Sequence, residues 1–256
     1  MSVLLQTSKV SMHFGGVRAV DLVDMSINSG AIHGLIGPNG AGKTTLFNII
    51  SGLYIPTTGN VIFEGKDITD KKPHEVTKLG IARTFQNILL FDQMSALENV
   101  MVGHHSRTDS TILGTIFHTP KMKKQEVLCK DYALSMLDFV GLSDFKNNNA
   151  GSLPYGQKRV LEIARALASK PKIIMLDEPC AGMNPSETDY LIEIIYKIRD
   201  FGITVLMVEH NMRVAMGVCD IITVLDHGKK IAEDVPDIIQ NDQQVIEAYL
   251  GKENLE

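Results

Sequence analysis

The stretch GPNGAGKTT at residues 37–45 decides the fold of this 256-residue chain. From Gly37 to Thr44 it matches the phosphate-binding pattern G-x-x-x-x-G-K-[ST] in full. The apolar run at 31–37 before it predicts a buried strand, and residues 43–50 after it carry apolar side chains at helical spacing. A glycine-rich loop between a strand and a helix is the context that the pattern requires. The stretch therefore predicts an α/β protein with a phosphate-binding loop.

Each residue type in this loop has its own physical reason. Glycines let backbone N–H groups turn inward around a β-phosphate, and no Cβ blocks the approach. The helix that follows points its positive end at the anion. Lys43 offers a charge to the β- and γ-phosphates, and Thr44 offers a hydroxyl to Mg²⁺. We therefore predict a nucleotide site formed by Gly37, Pro38, Asn39, Gly40, Ala41, Gly42, Lys43, Thr44 and Thr45.

A second signal is the apolar run at 173–176 that ends in Asp177 and Glu178. Two carboxylates at the carboxyl end of a parallel strand lie where open α/β sheets hold their ligands. We expect Asp177 to orient Mg²⁺ through water and Glu178 to polarise a water for attack on a γ-phosphate. A helical pattern at 185–202 and a further apolar run at 203–210 complete a strand–helix–strand unit.

Composition excludes several classes of protein. The chain is 44% hydrophobic and 21% charged, which is typical of a globular domain with a substantial core. Its net charge of −5 argues against nucleic acid as the main partner. The three cysteines lack metal-binding spacing, which suits reduced thiols. We expect no secretion signal and no membrane-spanning segment, so that any membrane role is peripheral.

Four motifs occur in the order found in ABC transporter ATPases: GPNGAGKTT at 37, LPYGQ at 153, IIMLDEP at 173 and VEH at 208. FGGVRAV, ARTFQN, DEPCAGMNP and IEAYLG narrow the resemblance to the ATPase subunits of Liv-type branched-chain amino acid importers. Urea and short-amide importers have very similar subunits. The resemblance covers essentially the whole chain. It implies an ABC ATPase fold with an N-terminal antiparallel β subdomain and a RecA-like core at 1–87 and 166–256, and an inserted helical subdomain at about 88–165.

The resemblance also implies roles for residues outside the loop. Phe14 resembles the aromatic residue that stacks on adenine, with Val20 close by at the nucleotide site, and the alternative for Phe14 is a core aromatic on an edge strand. Gln86 resembles the glutamine that contacts Mg²⁺, and the alternative is a surface residue. His210 resembles the histidine that contacts the γ-phosphate and holds the attacking water, and the alternative is a packing histidine.

The stretch LPYGQ resembles the signature motif of this family. The resemblance implies that two subunits pack head-to-tail and that each signature closes on the nucleotide held by the other subunit. The signature residues would then act in trans; they are Leu153, Pro154, Tyr155, Gly156 and Gln157.

Three residues depart from the family pattern. Pro154 and Tyr155 replace the usual serine and first glycine, and Asn184 replaces a usual aspartate in the D-loop. Because proline has neither a hydroxyl nor an N–H, Gly156 and the helix terminus must carry the phosphate contact. One interpretation is drift within an active subfamily. The other is a two-component dimer with unequal ATP sites.

The resemblance implies an ATP-hydrolysing motor subunit on the cytoplasmic face of a branched-chain amino acid importer. Its expected cofactors are ATP and Mg²⁺. Its expected partners are two transmembrane permease subunits, a related ATPase subunit and, indirectly, a substrate-binding protein outside the membrane. Segment 106–124 either docks to the permease or is a plain surface loop. The alternatives for the whole chain are a urea or short-amide importer, a lipopolysaccharide-type exporter, a DNA-repair or chromosome ATPase and a non-enzymatic regulator.

Overall fold

The computed structural model describes residues 2–104 and 120–250 and contains two sheets. The first sheet is antiparallel, and its strands alternate buried and exposed residues, as expected for a sheet with one solvated face. Its strand order is β2-β1-β4-β5. The strands are β1 (Val3–Phe14), β2 (Val17–Asn28), β4 (Thr58–Phe63) and β5 (Lys66–Asp67).

The second sheet has the strand order β10-β9-β3-β8-β7-β6. All of its neighbouring strands are parallel except the hairpin of β9 and β10. β3, β7 and β8 are buried along their whole length, which is why they read as continuous apolar runs. The strands are β3 (Ile32–Ile36), β6 (Ile81–Arg83), β7 (Ile173–Asp177), β8 (Thr204–Val208), β9 (Ile221–Asp226) and β10 (Lys229–Asp234).

Helices connect and cover these strands. A bilayer-spanning helix, long and apolar throughout, is absent from residues 2–104 and 120–250. The helices are α1 (Lys43–Ile50), α2 (Pro73–Leu79), α3 (Ala96–His104), α4 (Pro120–Phe139), α5 (Tyr155–Leu167), α6 (Pro185–Asp200), α7 (Met212–Val218), α8 (Pro236–Ile239) and α9 (Gln243–Leu250).

Two apolar clusters form the core. One joins α1 to both sheets and includes Phe47 of α1, Leu5 of the antiparallel sheet and Leu35 of β3. The other joins the opposite face of the parallel sheet to α5 and α6, through residues such as Leu161 and Ile195. Helix α1 is thus enclosed by apolar residues, and this packing anchors the loop that precedes it.

The predicted fold class and the strand–helix–strand unit are confirmed. The pattern at 236–251 predicts a helical tail, which the structure divides into α8, ending at Ile239, and α9, beginning at Gln243. Asp242 accounts for the break, since its Oδ1 accepts hydrogen bonds from the N–H groups of Gln244 (2.8 Å) and Val245 (3.3 Å) and so caps a new helix. Most of the predicted docking segment at 106–124 lies outside the described residues.

His33, in the strand before the phosphate-binding loop, is a buried histidine whose Nε2 lies 2.8 Å from Thr223 Oγ1. Burial, assisted by the charge of Lys230, lowers the pKa of His33 to about 4. In the unfolded chain we expect His33 to bind a proton near pH 6.5, whereas in the folded chain it stays neutral down to about pH 4. The free energy of unfolding therefore falls as the pH drops from about 6.5 to 4. The loss amounts to about 3 kcal/mol over this window.

Urea unfolding at pH 7 and pH 4, on the wild type and on His33→Gln, measures this contribution. The stability loss on acidification should be smaller in His33→Gln by roughly the same 3 kcal/mol. His227 is the matched control because it is 94% exposed, and His227→Gln should leave the pH profile unchanged. Identical acid sensitivity of wild type and His33→Gln would contradict the assignment.

Candidate active site

The candidate site lies where the parallel strands end. Carboxyl ends of parallel strands meet at one edge of a sheet, so loops that are distant in sequence come together there. The phosphate-binding loop follows β3, the Gln86 loop follows β6, Glu178 follows β7 and His210 follows β8. They enclose a cavity of about 510 Å³, which is lined by Ala19, Asn39, Gly40, Ala41, Gly42, Lys43, Thr44, Thr45, Gln86, Glu178 and His210.

The phosphate-binding loop requires glycine at Gly37 and Gly42, where φ is +148° and +101°. A Cβ at Gly37 would lie 2.1 Å from the carbonyl oxygen of Leu225, and one at Gly42 would lie 2.3 Å from that of Ala19. Gly42 also precedes the first turn of α1 and brings no side-chain cap to it. The N–H groups of that turn therefore stay available for an anion.

Lys43 is folded over the loop that carries it. Its Nζ donates hydrogen bonds to the carbonyl oxygens of Gly37 (2.7 Å) and Pro38 (2.9 Å). Burial lowers the pKa of Lys43, and the nearby charges of Glu178 and Asp177 oppose that shift. The ammonium is thus held beside two carboxylates at the floor of the cavity, where a phosphate would supply the strongest remaining partner.

Glu178 joins the two other predicted catalytic residues. Its Oε2 accepts a hydrogen bond of 2.9 Å from the side-chain amide of Gln86, and its Oε1 lies 2.7 Å from Nε2 of His210. Its backbone is left-handed (φ +48°), a conformation that costs a non-glycine residue about 1–2 kcal/mol. Its N–H donates to the carbonyl oxygen of Val208 at the end of β8. With this backbone conformation, the Glu178 side chain lines the cavity.

Asp177 is buried at the end of β7, and Nη2 of Arg83 contacts its Oδ2 at 2.9 Å. Nη1 of Arg83 donates to Oδ1 of Asn48 (2.7 Å) and Oγ of Ser51 (2.9 Å) on α1 and at its end. Arg83 therefore fixes Asp177 and α1 to the same strand end. Sequence reasoning missed Arg83, although it lies three residues before Gln86.

The buried ion pair of Arg159 and Glu162 contacts the loop that carries Gln86. Arg159 of α5 is fully buried and donates to the carbonyl oxygens of Phe85 and Gln86, both at 2.6 Å. It also contacts Oε2 of Glu162 at 2.8 Å. Burial raises the pKa of Glu162, and the charge of Arg159 opposes the shift. The sequence signal was two opposite charges three residues apart within the apolar face of a helix.

Replacing Arg159 with methionine should destabilise the chain by about 3 kcal/mol, because Glu162 would stay buried with only the more distant Arg165, at 4.0 Å, as a charged partner. Urea unfolding measures this loss. Arg213→Met, at an exposed arginine of α7, is the control and should change stability by less than about 0.5 kcal/mol. A double replacement, Arg159→Met with Glu162→Leu, should recover most of the loss. A double variant no more stable than Arg159→Met would contradict this account.

Phe14 and Val20 lie outside the cavity lining. Phe14 is 45% exposed and forms a T-shaped contact with Tyr54, with ring centroids 5.6 Å apart, so part of its ring remains accessible. Val20 is fully buried in the core between the sheets. The position of Val20 therefore does not support its predicted contact with a base, because the alternation of β2 turns it inward and Ala19 faces the cavity instead.

The signature residues 153–157 also lie outside this cavity. Leu153 is buried, and Pro154 precedes α5 without offering a side-chain cap. Pro154, Gly156 and Gln157 line a separate cavity of about 470 Å³. Asn184 begins α6, where its Oδ1 accepts hydrogen bonds from Glu187 N (3.0 Å) and Ser186 Oγ (2.7 Å). An aspartate offers the same acceptor, so this capping does not depend on the departure from the family pattern.

Comparison with known proteins identifies the family. The ABC transporter family model matches residues 20–181, and the model of the branched-chain amino acid ATP-binding cassette transporter matches residues 229–254. The chain is 42% identical over 250 residues to the high-affinity branched-chain amino acid transport ATP-binding protein BraF of Pseudomonas aeruginosa, and 38% identical over 250 residues to LivG of Escherichia coli. In both cases the match covers 97% of this chain and 98% of the relative.

Solved structures agree with this result. The ADP conformation of MJ1267, an ATP-binding cassette of an ABC transporter, superposes with a TM-score of 0.85 at 34% identity, covering 98% of this chain and all of the other. A dimeric post-hydrolysis state of the cassette MJ0796 bound to ADP and Pi gives a TM-score of 0.76 at 27% identity, covering 91% of this chain and 99% of the other. The chain belongs to the ABC transporter ATP-binding proteins, within the branched-chain amino acid (Liv) family.

Proposed function

We propose that the chain is the ATP-hydrolysing motor subunit of a branched-chain amino acid importer. The observation that supports the chemistry most directly is the contact of Glu178 with both Gln86 and His210 in the cavity that holds Lys43. The relatives BraF and LivG support the transported class, because both are named as branched-chain amino acid transport proteins.

In the proposed reaction, Glu178 takes a proton from a water molecule as the water oxygen attacks the γ-phosphorus of ATP. A new P–O bond forms, the bond between the γ-phosphorus and the β–γ bridging oxygen breaks, and ADP leaves with phosphate. His210 and Gln86 orient the carboxylate of Glu178, and Lys43 stabilises the phosphate charge. Phe14 would stack on the adenine.

The residues present fit a magnesium ion. Thr44, Gln86 and Asp177 offer a hydroxyl, an amide oxygen and a carboxylate, which are the hard oxygen ligands that Mg²⁺ prefers beside substrate phosphates. Arg83 engages one oxygen of Asp177 and holds this carboxylate in place at the strand end. When bound, Mg²⁺ would neutralise charge on the β- and γ-phosphates.

We further infer that a second ATPase subunit completes the nucleotide-binding site. The signature residues do not line the cavity of their own chain, which favours action on a neighbouring subunit. A nucleotide-dependent head-to-tail dimer would then drive two permease subunits at the cytoplasmic face of the membrane, and a binding protein outside would deliver the amino acid. If the second subunit is identical, the two ATP sites are equal. If it is a related but different ATPase, the two ATP sites are unequal.

Uptake of radiolabelled leucine and urea by cells lacking this chain tests the proposal. Deletion should abolish high-affinity leucine uptake and leave urea uptake intact. The wild-type chain should restore leucine uptake, whereas Glu178→Gln should not. Unchanged leucine uptake with loss of urea uptake would instead assign the chain to a urea importer. If leucine uptake and urea uptake were both unchanged and the cells had a lipopolysaccharide defect, the chain would be assigned to an exporter.

A further inference from the structure

Tyr155, which stands where a glycine is usual in the signature motif, makes a contact within its own chain. Its Oη donates a hydrogen bond of 3.0 Å to the carbonyl oxygen of Ala181. Its ring lies against Gly182, where a Cβ would be only 3.3 Å from Cε1 of the tyrosine. The ring and the hydroxyl therefore both engage the segment that follows Glu178.

That segment is a short turn between β7 and α6. It begins at Glu178, whose carbonyl oxygen accepts a hydrogen bond of 3.1 Å from Ala181 N, and it continues through a bond of 3.3 Å from Met183 N to Cys180 O. It ends at Asn184, the cap of α6. Ala181 is thus bonded to Glu178 through its N–H and to Tyr155 through its carbonyl. Ala181 alone therefore connects Tyr155 of the signature to the backbone of Glu178 through hydrogen bonds.

A second contact keeps the start of α5 on the same surface. Gly156 faces Glu187, and a Cβ at Gly156 would lie 2.7 Å from Oε1 of that side chain. Glu187 in turn accepts a hydrogen bond of 3.0 Å from Asn184 N at the end of the turn. The first turn of α5 therefore rests on both the middle and the end of the segment 178–184.

We propose that Tyr155 is a positioning residue that ties the signature segment to the turn carrying Glu178. The proposal rests on the proposed function, in which the signature contacts the nucleotide of a second subunit. A shift of α5 on that contact would then pull on Ala181 O and move the backbone that holds Glu178 in its left-handed conformation. The carboxylate of one site would in this way respond to the nucleotide of the other. A glycine at position 155 could form no such bond.

The experiment compares Tyr155→Phe with the wild-type chain in two measurements. Phenylalanine keeps the ring against Gly182 and removes only the hydroxyl. Steady-state ATP hydrolysis should show kcat lowered by about threefold to tenfold, the rate equivalent of one hydrogen bond, with KM unchanged. Amide hydrogen exchange should become faster at Ala181 and Met183, and this second readout does not depend on turnover.

Tyr196→Phe is the matched control, because Tyr196 Oη donates a bond of 2.9 Å to Gly217 O through the same chemistry, outside the site. It should change neither kcat nor exchange at 181 and 183. Unchanged amide exchange in Tyr155→Phe overturns the proposal. Faster exchange with an unchanged kcat also overturns it. A rise in KM together with a lower melting temperature overturns it as well, because it indicates a general loss of structure. Absence of ATP turnover both in the wild-type chain alone and in the chain with its related ATPase subunit refutes the proposed function, and the exchange measurement then still decides whether Tyr155 holds the turn.

Discussion

Glu178→Gln should lower ATP turnover by about a hundredfold to ten-thousandfold, the usual contribution of a general base, while ATP affinity is retained. Glutamine keeps the shape of the side chain and one acceptor oxygen, so the chain can preserve a contact with Gln86 or His210. What it loses is the ability to take a proton from water. Binding depends instead on the phosphate loop and Lys43, which this replacement does not touch.

Release of inorganic phosphate and binding of a fluorescent ATP analogue separate these two effects. Glu64→Gln is the matched control, since Glu64 is a surface carboxylate that pairs with Lys172 at 2.6 Å. The control should turn over ATP at the wild-type rate. If Glu178→Gln retained more than about a tenth of the wild-type turnover, a different residue would have to act as the base.

The same variant reports on the partner subunit, because a chain that binds ATP without hydrolysing it accumulates in the closed state. Its mass in solution with MgATP should rise from 28.2 kDa to twice that value if LPYGQ closes on a second copy. A mass that stays at 28.2 kDa at high concentration would indicate that a related ATPase, or the membrane subunits, supply the missing half. In that case restoring serine at Pro154 should alter hydrolysis only at the partner's loop, and equal changes at both sites would contradict unequal sites.

Lys43→Ala should weaken ATP binding by about a hundredfold. The Lys43 ammonium makes charge-assisted hydrogen bonds, worth about 1.5–3 kcal/mol each. It is already partly desolvated, and its hydrogen bonds to the carbonyl oxygens of Gly37 and Pro38 orient it before a phosphate binds. Loss of the positive charge also leaves Glu178 near the phosphates without the Lys43 cation, whereas Asp177 keeps its ion pair with Arg83. Affinity and turnover should therefore fall together, unlike in Glu178→Gln.

Titration with a fluorescent ATP analogue measures this effect, and thermal unfolding without nucleotide shows whether the variant is folded. Lys43→Met retains the apolar stem of the buried side chain and should bind as weakly as the alanine variant. Lys172→Ala removes a surface lysine paired with Glu64 and should bind ATP normally. ATP affinity within threefold of wild type in a folded Lys43→Met variant would contradict the role of the charge.

The local units of this protein can be predicted from its residues alone. The glycine-rich loop, the buried strands and the helix between β7 and β8 follow from backbone freedom and from hydrophobic periodicity, which act over a few neighbouring residues. For the same reason, once the order of the motifs was recognised, the sequence sufficed to predict that Gln86, Glu178 and His210 belong to one site. Parallel strands bring their carboxyl ends to one edge whatever the details of packing.

Only the tertiary structure decided which side chains hold these units in place. Arg83 contacts Asp177 across 94 positions, Arg159 reaches Phe85 across 74, and Tyr155 reaches Ala181 across 26. The inward position of Val20 and the break before α9 were decided in the same way. Such contacts depend on strand register and on the angle at which α5 packs, and no local pattern encodes them because they arise only when distant segments meet.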